Sequence, residues 1–118
     1  MDSTKKLFIV DDETEITEIL KPHFERRGFQ VLICPSGEEA VKLLQDEPPD
    51  LVFLDYKLKD ELTGLDVLKK FREFNSHTKV IFLTGRLEDD VKKEAENLGV
   101  KVFLIKPVLI STLDEVIE

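Results

Sequence analysis

Five side chains of this chain carry groups suited to metal or phosphate chemistry, and they follow directly on short apolar runs. Leu7-Phe8-Ile9-Val10 leads into Asp11-Asp12, and Leu51-Val52-Phe53-Leu54 into Asp55. Val80-Ile81-Phe82-Leu83 leads into Thr84, and Val102-Phe103-Leu104-Ile105 into Lys106. If these runs are parallel strands, three carboxylates, a hydroxyl and an ammonium gather on the edge where open α/β sheets bind ligands. Crowded carboxylates repel one another unless protons or a cation offset the charge. Oxygen ligands without Cys or His favour a hard ion such as Mg²⁺ over zinc, and Mg²⁺ commonly adds water and a phosphate oxygen to one or two carboxylates. Lys106 would neutralise a phosphoryl oxygen and Thr84 would donate to one, which are the positioning and charge-offsetting parts that phosphoryl transfer needs. A central carboxylate can itself be the nucleophile and form an aspartyl phosphate. Asp55, alone at the end of the most apolar run, is the candidate.

Each of these residues also has an ordinary reading. An acidic pair after a strand often caps a helix. A lone Asp makes a turn, a Lys before Pro is a solvated loop residue, and Thr84-Gly85 is a turn. The chemical reading rests on all of them falling at strand ends, in an order that brings them together.

The runs are continuous rather than alternating, as strands buried on both faces are. Strands are placed near 6–10, 30–34, 50–54, 79–84 and 102–105. Between them lie helix-length segments. In 13–27, Ile16, Ile19, Leu20 and Phe24 share a face, with acids early, Arg26 and Arg27 late, and Gly28 as the stop. Ser36-Gly37-Glu38-Glu39 reads as a capping box for a helix that Pro48-Pro49 ends. Segments 65–74, 88–98 and 109–118 show further apolar faces, and Gly99 stops the second of them. Five βα units predict an α/β fold, a parallel sheet with helices on both faces. All of 1–118 reads as one domain, a size that 118 residues fits.

A net charge of −8 argues against direct nucleic-acid binding, which needs basic patches. The single cysteine, Cys34, excludes an internal disulfide, reads as a small buried hydrophobe and suits a reducing cytoplasm. No run approaches the ~20 apolar residues of a membrane span. The first six residues lead straight into a strand and do not read as a signal peptide. His23 and His77 read as surface or packing residues, and Lys92-Lys93-Glu94 as a solvated helix face.

Ile9-Val10-Asp11-Asp12-Glu13, Leu54-Asp55 with Thr63-Gly64-Leu65, Leu83-Thr84-Gly85 and Ile105-Lys106-Pro107 together resemble the receiver domain of two-component response regulators, of the chemotaxis-regulator type. The resemblance covers 5–118. It implies a doubly wound, flavodoxin-like five-stranded sheet in the order 2-1-3-4-5. It implies a switch in which Asp55 takes a phosphoryl group from a sensor histidine kinase or a histidine phosphotransfer protein. Asp11, Asp12, Asp55 and the backbone carbonyl of Lys57 would hold Mg²⁺ or Mn²⁺. Lys106, before a cis bond to Pro107, would contact the phosphoryl group. Thr84 would be the switch hydroxyl and Phe103 the aromatic that follows it. Output would pass to a downstream protein or an attached effector domain through the fourth helix, fifth strand and fifth helix, a face that includes Lys101 and Phe103.

The chain departs from the family pattern in three places. The loop from Asp55 to Gly64 is one residue longer than the commonest form, lacks its proline and carries Asp60-Glu61. Phe103 has no hydroxyl, so its switch works by packing alone. Lys57 and Arg86, two residues beyond Asp55 and Thr84, are long cations that would border the phosphoryl group and slow its hydrolysis to minutes or longer. Of the rivals, an aspartyl-phosphate phosphatase of the haloacid-dehalogenase type needs an acid where Lys57 stands. A flavodoxin-like cofactor binder needs a phosphate-cradling loop where Asp11-Asp12-Glu13 stands. A degenerate, binding-only receiver would not need the intact set of five.

Overall fold

The computed structural model describes residues 4–74 and 77–117. The sequence readings at 1–3 and of Glu118 in the tail helix lie outside them. The strands are β1 (Lys6–Val10), β2 (Gln30–Cys34), β3 (Leu51–Asp55), β4 (Lys79–Thr84) and β5 (Val102–Ile105). The helices that follow them in turn are α1 (Thr14–Arg26), α2 (Gly37–Asp46), α3 (Gly64–Phe74), α4 (Asp89–Asn97) and α5 (Ile110–Val116). The five strands are parallel and pair in the order β2-β1-β3-β4-β5.

Strand geometry splits the core in two, because successive side chains point to opposite faces. Phe8, Val10, Val52, Leu54, Val80 and Phe82 pack beneath α2, α3 and α4 with Ala40, Leu44, Leu68, Phe71 and Ala95. Leu7, Ile9, Leu51, Phe53, Ile81 and Leu83 pack beneath α1 and α5 with Leu20, Phe24 and Leu113. Both faces are covered, which is why the runs carry no polar alternation.

The predicted stops act as such. Gly28 and Gly99 sit at φ 98° and 90°. The N–H of Phe29 reaches the Phe24 carbonyl and that of Val100 the Ala95 carbonyl, closing α1 and α4. β3 is displaced by one residue from its expected place. Asp50 stays outside it, with its carboxylate accepting from the N–H of Lys6 at 2.8 Å, and Asp55 is its last residue.

Candidate functional site

Register builds the site. Val10 pairs with Leu54 and Asp55 with Leu83, so Asp11 and Asp55 emerge side by side from adjacent central strands. Thr84 pairs with Ile105, and the N–H of Lys106 donates to the Thr84 carbonyl at 2.8 Å. The chain turns back from β1 toward β2 on one side and from β3 toward β4 on the other, and the crevice opens at that reversal. A cleft of about 1130 Å³ there is lined by Asp12, Asp55, Lys57, Thr84, Arg86 and Lys106, among others.

Asp11, Asp55 and Thr84 are buried. Carboxylate oxygens of Asp11, Asp12 and Asp55 lie within 4.8 Å of one another. Asp11 serves two neighbours: Oδ1 accepts from the N–H of Glu13 at 2.9 Å, and Oδ2 accepts from Lys106 Nζ at 2.7 Å. The same ammonium reaches Glu13 Oε1 at 2.7 Å and Asp55 Oδ2 at 3.0 Å. Burial acts to lower the Lys106 pKa, but hydrogen bonds to Asp11, Glu13 and Asp55 outweigh it and hold the ammonium above the ordinary lysine range. Burial pushes the Asp55 carboxyl up, against the opposing pull of Lys106 and of the Lys57 backbone N–H. Three carboxylates thus contact one ammonium, and Asp12 adds a fourth negative charge beside them. Hard oxygen donors with that charge excess fit a hard divalent cation.

Thr84 Oγ1 donates to the Arg86 carbonyl at 3.1 Å. Phe103 is half-buried, with its ring centroid 6.0 Å from that of Phe82 and Lys92 Nζ 5.8 Å above its face. Lys92, read as part of a solvated face, is exposed and also covers this ring. The Lys106–Pro107 bond is cis, as expected. Lys57 and Arg86 are exposed at the rim of the cleft, and Arg86 leans toward Glu88 at 3.7 Å. His23 lies away from the cleft and bonds Asp114 of α5 at 2.9 Å.

Gly64 opens α3 where no side chain fits. A Cβ there would stand 2.4 Å from the Asp55 carbonyl oxygen and 2.8 Å from Tyr56 Cα. The Gly64 N–H donates to the Tyr56 carbonyl at 2.7 Å, so α3 begins directly against the backbone of the central carboxylate.

Glu13 was missed as a site residue. In sequence it is only one of several early acids of α1, and nothing local marks it as a partner of Lys106. The long loop after Asp55 also proves well anchored. Lys57 and Thr63 form an antiparallel bridge at its neck, Leu58 is buried, and Asp60 accepts from the N–H groups of Gly37 and Glu38 at 3.3 and 2.9 Å.

A parallel sheet in this order, with carboxylates at the reversal of its strand order, defines the doubly wound class that binds ligands at its carboxyl edge. Within it, the chain matches the response regulator receiver domain family over residues 7–118 and belongs to that family. It is 30% identical over 114 residues to Sporulation initiation phosphotransferase F of Bacillus subtilis (strain 168), covering 97% of this chain and 91% of that protein. It is 36% identical over 103 residues to the alkaline phosphatase synthesis transcriptional regulatory protein PhoP of the same organism, 87% of this chain but 42% of that protein. The chain therefore spans less than half of that relative. A CheY-like receiver domain protein from Methanospirillum hungatei JF-1 matches with a TM-score of 0.92 and 30% identity, covering 98% of this chain and 91% of that one. Receiver domains are regulatory signalling domains of two-component systems, in which response regulators work with histidine kinases and downstream effectors. No helix among the described residues is long and apolar enough to cross a membrane.

Proposed function

We propose that residues 1–118 form one cytoplasmic receiver unit that is phosphorylated on Asp55 and turns over no independent substrate. The observation that carries this is the convergence of Asp11, Asp12, Asp55 and Lys106 at one buried strand edge. An Asp55 oxygen attacks the phosphorus of a phosphohistidine on a sensor kinase or phosphotransfer protein. The P–N bond breaks, its electron pair stays on the imidazole nitrogen, and the phosphoryl group becomes the acyl phosphate of Asp55. Asp11, Asp12, Asp55 and the Lys57 carbonyl would hold Mg²⁺ or Mn²⁺, which when bound offsets charge on the phosphoryl oxygens. Lys106 exchanges a carboxylate contact for a phosphoryl oxygen. Thr84 releases the Arg86 carbonyl and turns its hydroxyl to the same group. Phe103 repacks against Phe82 and alters the face made by α4, β5 and α5, to which a downstream protein or attached effector domain responds.

The test is incubation with Mg²⁺ and acetyl phosphate, followed by intact mass measurement. One added phosphoryl group on wild type and none on Asp55→Asn is expected. No label with any small donor or with a phosphohistidine partner leaves the binding-only alternative. Steady release of phosphate from an unrelated phosphoester would favour the phosphatase alternative.

A further inference from the structure

We infer that Asp60 is a positioning residue, tying the long loop after Asp55 to the start of α2 and so fixing Lys57 at the metal side of the site. The inference rests on the phosphoacceptor reading and extends it to a residue that never touches the reacting atoms.

A helix leaves its first N–H groups without intrahelical partners. In α2 these groups are met from two directions. Ser36, the residue before the helix, accepts from the Glu39 N–H through Oγ at 3.2 Å and from the Ala40 N–H through its carbonyl. Gly37 and Glu38 are left for Asp60, which comes from a loop more than twenty residues away and takes one with each oxygen. A carboxylate suits this end of a helix dipole. Apolar contact reinforces the tie. A Cβ on Gly37 would stand 2.9 Å from Leu62 Cβ and 3.2 Å from Leu58 Cδ1, so the loop lies directly on the helix start.

The loop cannot lift at one end alone. Its neck is closed by the Lys57–Thr63 bridge and the bond from the Gly64 N–H to the Tyr56 carbonyl. Its apex is held by Leu58, Leu62 and Asp60. Lys57 stands at that neck, two residues beyond Asp55, and lines the same cleft. Freeing the apex frees the peptide whose carbonyl would serve as a metal ligand. Groups that orient a ligand without being ligands characteristically cost about tenfold or more in metal affinity when removed.

Tyr56 is the chain's one tyrosine, there is no tryptophan, and Tyr56 adjoins Asp55, so tyrosine fluorescence is followed together with isothermal titration calorimetry, which reads Mg²⁺ binding whether or not the ring responds. Titration with Mg²⁺ alone should show about tenfold weaker binding in Asp60→Ala, with Asp60→Asn intermediate because its one carbonyl oxygen keeps one bond. Ser36→Ala removes a cap from the same helix end but leaves the loop tied, and should bind as wild type does. Glu61→Gln removes a charge from the same loop and should also bind as wild type does. Hydrogen exchange should show faster amide exchange over 57–62 in Asp60→Ala and not in Ser36→Ala. Wild-type affinity in Asp60→Ala overturns the inference, as does an equal loss in Ser36→Ala or Glu61→Gln. A wild-type chain with no Mg²⁺ response overturns the phosphoacceptor reading and this inference with it.

Discussion

The Thr84 hydroxyl is hydrogen-bonded to the Arg86 carbonyl at 3.1 Å, within its own loop, although Thr84 ends the strand beside that of Asp55. Reaching a phosphoryl group on Asp55 therefore means giving up that bond. A hydrogen bond of this kind is worth about 1 kcal/mol net, which is about a fivefold change in a two-state population. Thr84→Ala should accept the phosphoryl group yet shift the Phe103 region about fivefold less, and Thr84→Ser should behave as wild type. Amide chemical shifts of β5 before and after acetyl phosphate give the answer. A full response in Thr84→Ala would sink the switch role.

Lys106 is the counter-charge of a buried acidic cluster, its side chain 12% exposed against 3% for Asp11 and 6% for Asp55. Removing one partner of such a pair leaves buried charge uncompensated, at a cost of about 3 kcal/mol. Lys106→Met should lose that much stability in metal-free buffer at pH 7. Adding Asp55→Asn to it should restore a large part, because the two residues share one interaction. Urea denaturation of the two single variants and the double variant measures the coupling. Strict additivity would show that the contact carries no energy.

Asp114 ties α5 to α1. A hydrogen bond from His23, with Arg27 also against it, holds its carboxyl below the usual carboxylate range against the opposing effect of burial. A carboxyl lowered by folding stabilises the native state above its unfolded value of about 3.9 and loses that contribution as pH falls through the lower native value. Wild type should therefore be more stable than Asp114→Asn at pH 5, and the gap should close as pH falls below about 4. Denaturation midpoints of the two proteins across that range test it. A gap that does not narrow as the solution is acidified would assign the effect to packing.

Lys57 and Arg86 stand at the rim of the cleft, and both are exposed. Folded over a phosphoryl group on Asp55, they should keep the acyl phosphate for minutes or longer. Lys57→Ala with Arg86→Ala should shorten that time by several-fold, since long stems exclude water as well as carry charge. Arg86 already leans toward Glu88, so the larger share should fall to Lys57. Decay followed by intact mass after removal of the donor decides the matter, and unchanged decay removes the idea.

What the sequence made legible was the part governed by local rules. Continuous apolar runs marked doubly buried strands, and Gly28, Gly99 and Ser36 marked helix ends that the structure keeps. The strand order came from family resemblance, because periodicity says which face is buried and not which strand is the neighbour. The partners of Glu13 and Asp60 were not legible, for one reason. An acid at the start of a helix or in a loop looks the same whether it faces water or closes a contact with Lys106 or with Gly37. Such contacts depend on packing between elements far apart in the chain. The one-residue displacement of β3 has a similar source: Asp50 bonds Lys6 across the sheet and leaves the strand to begin at Leu51.

Lys106 meets the carboxylates of Asp11, Glu13 and Asp55 at hydrogen-bonding distance before any phosphoryl group arrives. On the proposed reading, phosphorylation is an exchange of ionic partners for Lys106 rather than the creation of new ones. The energy separating the two states is then a difference between two sets of ionic contacts. It can be retuned by a single rim residue such as Glu13, with the nucleophile itself unchanged.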